Sequence, residues 1–202
     1  KSNKQIPLAE LLRPKTVDEY LGQGQIVGEN AAFMNLLRSG RLFSCIFWGP
    51  PGCGKTTLAR LIAGSTNSDF IELSAVTSGI KEIKDAVDRA KESLRYNKKT
   101  ILFIDEIHRY SKTQQDALLP HLENGTLYLI GSTTENPSFQ VVPALVSRVQ
   151  VIRLNPIDDE NIMNIVKKGF GYLSQKHGVI TTTNEILEYI VRYARGDARL
   201  AL

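Results

Sequence analysis

Residues 47–58 read FWGPPGCGKTTL. Glycines at 49, 52 and 54 and prolines at 50 and 51 make poor material for the interior of a helix or strand. The segment Gly49–Thr56, GPPGCGKT, fits the pattern G-x-x-x-x-G-K-[ST]. Each part has a physical use. The glycines let consecutive backbone N–H groups turn inward around a phosphate. The helix expected from about Lys55 to Ala63 points its positive end at the same place. Lys55 can reach β- and γ-phosphates, and the Thr56 hydroxyl can hold Mg²⁺. Pro50 and Pro51 stiffen the approach. Gly49, Pro50, Pro51, Gly52, Cys53, Gly54, Lys55, Thr56 and Thr57 are therefore the expected binding residues for ATP with Mg²⁺. Trp48 is expected to pack the strand end. Cys53, beside a helix N-terminus, is expected to have a lowered thiol pKa and to be open to alkylating agents, with ATP protecting it.

The surroundings suit a parallel sheet. Leu42–Trp48 and Thr100–Asp105 are apolar runs of the kind buried on both faces. Further strands are expected at Phe70–Leu73, Leu127–Ile130 and Val149–Leu154. Helices are expected at Ala31–Leu37, 79–95, Ser111–Leu122 and Pro143–Ser147. The second places Ile80, Ile83, Val87, Ala90 and Leu94 at helical spacing. The third opens on a capping box, Ser111 with Gln114; Pro120 should kink its end and Gly125 should stop it. Strands alternating with helices predict an α/β fold with helices on both faces of the sheet. After Pro156 only helices are expected, at Ile157–Tyr172 and Glu185–Tyr193. The expected division is a nucleotide-binding α/β domain at 1–155, with a lead-in at 1–40, and a small helical lid at 156–202.

Asp105 and Glu106 close the run ILFIDE. Carboxylates at the end of a buried strand stand where ligands bind in parallel sheets. Asp105 is expected to complete the Mg²⁺ shell, usually through water. Glu106 is expected to take a proton from the attacking water. His108 lacks a Cys/His cluster around it, so a hydrogen-bonding role is expected rather than a metal.

Composition sets the outer bounds. At 202 residues, with 42% hydrophobic and 23% charged, the chain is globular in character. The net charge of +4 balances 25 basic against 21 acidic residues, and no polybasic block occurs. Two cysteines do not make a disulfide framework, which favours a reducing compartment. No apolar run spans a membrane, and the opening KSNKQIPLAE lacks the apolar centre of a signal peptide. Opening without Met and stopping on GDARLAL, the chain is expected to be part of something longer. Cytoplasm or nucleoid in a bacterium, or nucleus in a eukaryote, is the expected location.

Beyond these pieces, the chain resembles the AAA+ ATPases of the clamp-loader-like branch. Within that branch it is similar to the RarA/MgsA group, which includes the Werner-helicase-interacting proteins. The resemblance rests on PLAELLRP (7–14), WGPPGCGKTTLA (48–59), SAVTSGIKEI (74–83), TILFIDEIHRYSKTQQDALLPHLENGT (100–126), IGSTTENPSFQV (130–141), ALVSR (144–148) and GDARLAL (196–202). It implies a P-loop core followed by a helical lid. Thr133 matches the first sensor, a polar group near the γ-phosphate. Arg148 matches the arginine finger that reaches a neighbouring subunit's site, worth roughly 10³–10⁵ in rate. Arg199 matches the second sensor. Arg13, Pro14, Tyr20 and Ile26 would lie near the adenine.

The resemblance further implies a homo-oligomer, a tetramer or ring, that hydrolyses ATP and is stimulated by DNA forks or single-stranded ends. It implies work in replication-fork maintenance, repair and recombination, alongside replication and repair proteins. Lys81, Arg109 and Lys112, at helix starts, would suit phosphate oxygens without reading bases. Two other readings stand beside it: a nucleotide-gated binding module, and an ATPase that remodels protein rather than DNA. Glu106 favours turnover over the first, because a pure switch needs no base.

Overall fold

The computed structural model describes residues 6–28 and 31–202. Part of the expected lead-in, residues 1–5 and 29–30, lies outside the described residues. Five strands form one parallel sheet: β1 (Cys45–Trp48), β2 (Asp69–Ser74), β3 (Thr100–Asp105), β4 (Tyr128–Thr133) and β5 (Gln150–Arg153). Their order is β2-β3-β4-β1-β5. Consecutive strands β1 and β2 are thus separated by two others, and a long crossover must join them.

Helices α1 (Leu8–Leu11), α2 (Gly24–Val27) and α3 (Ala32–Arg38) precede the sheet. Between the strands lie α4 (Lys55–Ser65), α5 (Ile80–Arg95), α6 (Lys112–Asp116), α7 (Leu119–Glu123), α8 (Pro137–Gln140) and α9 (Pro143–Val146). After β5 come α10 (Asp159–His177), α11 (Asn184–Ala194) and α12 (Ala198–Ala201).

Side chains alternate across a strand, and that period divides the core in two. Cys45, Phe47, Ile101 and Phe103 pack with Leu58, Ala59 and Ile62 of α4. Ile46, Leu102 and Ile104 pack with Ile83, Ala86, Val87 and Ala90 of α5. Burial on both faces is why these strands read as unbroken apolar runs. In α5, Leu94 ends the periodic stripe but stays 42% exposed, beyond the edge of the sheet contact.

Three expectations need correction. The first strand begins at Cys45, not Leu42. Leu42 and Phe43 instead pack against the core as irregular chain. The helix expected over Ser111–Leu122 is two helices, α6 and α7. Pro120 does not kink a helix end; it sits in the first turn of α7, where its missing N–H costs nothing. The capping box holds: Gln114 N donates to Ser111 Oγ at 3.3 Å, and Ser111 N donates to Gln114 Oε1 at 2.9 Å.

The last three helices build their own core from Ile157, Ile162, Val166, Leu187, Val191 and Ala194. Helix α10 runs on to His177 before Gly178, at φ 92°, ends it. Its start is capped by Asp158, whose carboxylate accepts from Asn161 N and Nδ2, each at 2.8 Å. Among the described residues, no helix is long and apolar enough to cross a membrane.

Two outcomes test this packing. Phe103 is fully buried and stacks on Phe70 with ring centroids 5.9 Å apart. Phe103→Ala should lower unfolding stability by about 3–5 kcal/mol in urea titration. Asp158→Ala should cost about 1 kcal/mol at neutral pH. Hydrogen bonds from Asn161 hold the Asp158 carboxyl below its ordinary value of 3.8. The stabilisation is therefore fully present above that value and fades as pH falls through the folded pKa. Wild-type and variant unfolding curves should converge in acid.

Candidate functional site

The segment leaving β1 turns at once into α4. Gly52 and Gly54 take φ values of +64° and +98°, a backbone that side-chain-bearing residues rarely adopt. A Cβ on Gly54 would stand 2.6 Å from the Tyr20 hydroxyl. The loop thus closes tightly, with its N–H groups and the first turn of α4 around one space.

Lys55 lies just inside that space and is only 8% exposed. Its Nζ donates to the carbonyls of Gly49 and Pro50, each at 2.8 Å. Burial holds its pKa below the ordinary lysine value, with the Asp105 and Glu106 charges opposing the drop. No carboxylate lies within ion-pair distance of this ammonium among the described residues. A buried cation held only by carbonyl dipoles is a site ready for an anion.

Parallel register brings the carboxylates to the same rim. Ile104 is level with Gly131, and Trp48 with Thr133. Ser132 Oγ donates to Asp105 Oδ1 at 2.5 Å and fixes that carboxylate. Glu106 follows in a left-handed conformation, φ 55° and ψ 45°, before a 3₁₀ turn at Ile107–Arg109. This reversal aims two adjacent acids in different directions. Non-glycine residues in that region are uncommon and concentrate at functional sites.

Lys55, Thr56, Thr57, Asp105, Glu106 and Arg199 share the lining of one cavity of about 440 Å³. Gly52, Gly54 and Pro51 line it as well, as do Arg13, Pro14 and Tyr20 from the lead-in. Arg13 Nη1 donates to Thr57 Oγ1 at 3.0 Å, tying the lead-in to α4. The start of α12 closes the opposite side, where Ala198 N donates to Gly52 O at 3.2 Å. The residues fit a nucleoside triphosphate with Mg²⁺. Thr56 and Asp105 supply one hydroxyl and one carboxylate. Among the described residues no group of three or more His, Cys, Asp or Glu could hold a metal unaided. That donor set suits an ion held largely by phosphate oxygens and water.

Several expected residues stand elsewhere. Ile26 is buried in the core and does not line the cavity. Gly49 and Pro50 support Lys55 from behind. Cys53 requires a correction: its side chain is fully buried, and burial pushes its thiol pKa up, against the smaller opposing pull of Lys55. It is not reachable from solvent in this conformation. Thr133 is fully buried at the end of β4, and its neighbour Thr134 lines the cavity instead. Arg148 is away from this cavity, exposed after α9, with Nε donating to Glu123 Oε1 at 2.6 Å. Trp48 carries the Arg153 guanidinium over its ring, 5.2 Å from the centroid.

Some residues were not expected. Gln23, 5% exposed, donates to the Asn155 carbonyl at 2.6 Å and accepts from Asn155 N at 2.9 Å. It also donates to Cys53 O at 3.4 Å, so one amide links lead-in, loop and the end of the sheet. In the sequence its one mark is the flanking pair Gly22 and Gly24; in the structure it takes left-handed backbone, φ 59°. Ile165 and Lys168 of α10 also line the cavity. Their helical spacing says nothing of which neighbour they face.

Comparison with known proteins agrees with this geometry. Residues 45–157 match the ATPase family associated with various cellular activities (AAA). Replication-associated recombination protein A of Haemophilus influenzae is 46% identical over 203 residues, covering 97% of this chain and 44% of that protein. The ATPase WRNIP1 of Dictyostelium discoideum is 43% identical, over 97% of this chain and 22% of its own length. The chain thus spans less than half the length of these relatives. Among solved structures, Thermotoga maritima RuvB, a Holliday junction branch migration motor, superposes with a TM-score of 0.75. That match is 28% identical and covers 94% of this chain and 62% of RuvB. The loop, the acidic strand end and these matches agree: the chain belongs to the AAA family of ATPases, in the group of replication-associated recombination protein A and WRNIP1.

Proposed function

We propose that this chain is the ATP-hydrolysing part of an oligomeric enzyme that acts on DNA during replication-associated recombination and repair. The observation that carries the reading is the buried Lys55 ammonium, unpaired with any carboxylate among the described residues, facing Thr56, Asp105, Glu106 and Arg199 across one cavity. Loop N–H groups and Lys55 bind the β- and γ-phosphates. Thr56 and Asp105 would hold Mg²⁺, which when bound neutralises charge between the phosphate oxygens. Glu106 orients the attacking water and accepts its proton. Arg199, on the helical unit that serves as the lid, meets the phosphates from the far side. Arg13, Pro14 and Tyr20 form the wall for the base.

Arg148 completes the site of a neighbouring protomer. Its exposed position and distance from the cavity of its own chain support action in trans. DNA contact rests on the kinship with recombination proteins and on the exposed Lys81, Arg109 and Lys112 near the starts of α5 and α6. Contacts of that kind would be salt-dependent and blind to base sequence.

Glu106→Gln should bind a fluorescent ATP analogue as wild type does while losing turnover by roughly 10²–10⁴-fold; normal turnover would remove Glu106 from the chemistry. Arg148→Ala should also be inactive, and mixing it with Glu106→Gln should restore part of the rate. In mixed assemblies an intact Glu106 then faces an intact Arg148. No recovery on mixing, with assembly confirmed by light scattering, would place the arginine's effect within one chain. Forked or single-stranded DNA ends should raise the wild-type rate, and an unchanged rate across a panel of DNA structures would defeat the DNA assignment.

A further inference from the structure

His108 has no role in the site as described, yet it touches three of its neighbours. Its side chain is 5% exposed. Nδ1 lies 2.8 Å from Thr133 Oγ1. Nε2 lies 3.3 Å from Glu106 Oε2 and 3.3 Å from Glu135 Oε1. Thr133 Oγ1 in turn accepts from Glu135 N at 3.0 Å.

The chemistry of the donors assigns the protons. Ionised carboxylates only accept, so Nε2 must carry a hydrogen to bond either glutamate. In the neutral ring Nδ1 is then an acceptor, and the Thr133 hydroxyl donates to it. The Thr133 oxygen keeps its lone pairs for Glu135 N. The Glu135 carbonyl, 3.3 Å from Thr133 Oγ1, competes with Nδ1 for that one hydroxyl hydrogen, and Nε2 stands within ion-pair distance of both carboxylates.

Glu106 needs such a brace. It stands at φ 55°, outside the sheet's hydrogen bonds, and its carboxylate extends into open cavity. Thr133, by contrast, is fully buried and does not reach the cavity wall.

We propose that His108 is a positioning residue for ATP hydrolysis: oriented by Thr133, it donates Nε2–H to Glu106 and sets where that carboxylate meets the water. Thr133 then acts on the reaction through His108 rather than by touching phosphate. Glu135 is the competing acceptor for the same hydrogen, so a small turn of the ring transfers the donor from one carboxylate to the other. This inference rests on the assignment of Glu106 as the base.

Steady-state ATP hydrolysis and equilibrium binding of a fluorescent ATP analogue, measured on the same preparations, test it. His108→Ala should lower kcat about tenfold or more, a share of the 10²–10⁴ supplied by a positioned base. ATP affinity should stay within about twofold. His108→Gln keeps an amide donor at a similar reach and should recover more of the rate than His108→Asn. Thr133→Ala with His108→Ala should cost no more than the worse single change, because the two act in series.

Unchanged kcat in His108→Ala, or a double variant whose losses multiply, would overturn the proposal. Should His108→Ala unfold early in a thermal melt, the Gln and Asn variants carry the comparison; equal rates for those two would also overturn it. Glu106→Gln run alongside separates the two ideas. If it is inactive while His108→Ala is normal, the base stands and the brace falls; if it is active, the base assignment itself falls.

Discussion

A single buried ammonium organises this molecule. Lys55 has been drawn out of water at the start of α4, and among the described residues its Nζ bonds only to the Gly49 and Pro50 carbonyls. Dipoles stabilise a buried charge less than an opposite charge does. The site therefore has an electrostatic demand that a polyanion meets. Other features serve that demand. The sheet brings β1 and β3 to the same rim. Glycines permit the loop's close turn, and the contact of Arg13 with Thr57 ties the lead-in that lines the space to α4.

The carboxylates face the opposite requirement. Two acids beside a phosphate site would repel the substrate unless they are held to defined tasks. Asp105 is fixed by Ser132, which the strand register places beside it. Glu106 escapes the sheet through its left-handed backbone. Adjacent residues thus acquire separate environments from one turn of the chain. The division needs no difference in side-chain chemistry, only a change in direction at the strand's last residue.

Much of this was legible in the sequence because it depends on local chemistry. Glycine spacing around Lys55, the apolar run before Asp105 and the alternation of strand and helix each have one physical reading, and the sheet follows from them. What escaped was decided by tertiary context. A thiol next to a helix N-terminus should ionise readily, yet Cys53 is sealed under Gly49 and the residues packed around it, and desolvation outweighs the dipole. The capping box at Ser111 was readable, but the break before Leu119 was not, since proline is equally at home in a helix's first turn. Helices of four residues, such as α2 and α12, are too short to show a period. Gln23 bonds to Asn155, more than a hundred positions away, and no window along the chain contains both ends of that bond; for His108 a hydrogen-bonding role was expected, but its partner Thr133 was not.

Gly52 has a wider meaning than its backbone angle. A Cβ there would lie 1.8 Å from Asp197 Oδ1, so the bare α-carbon is what lets the cap of α12 rest directly on the phosphate loop. The same Asp197 oxygen accepts from Arg199 N at 2.8 Å, and so seats the arginine that faces the cavity. Loop and terminal helices are in effect two jaws sharing a bearing surface. At this point the loop backbone meets the Asp197 carboxylate, with no room for one further carbon between them.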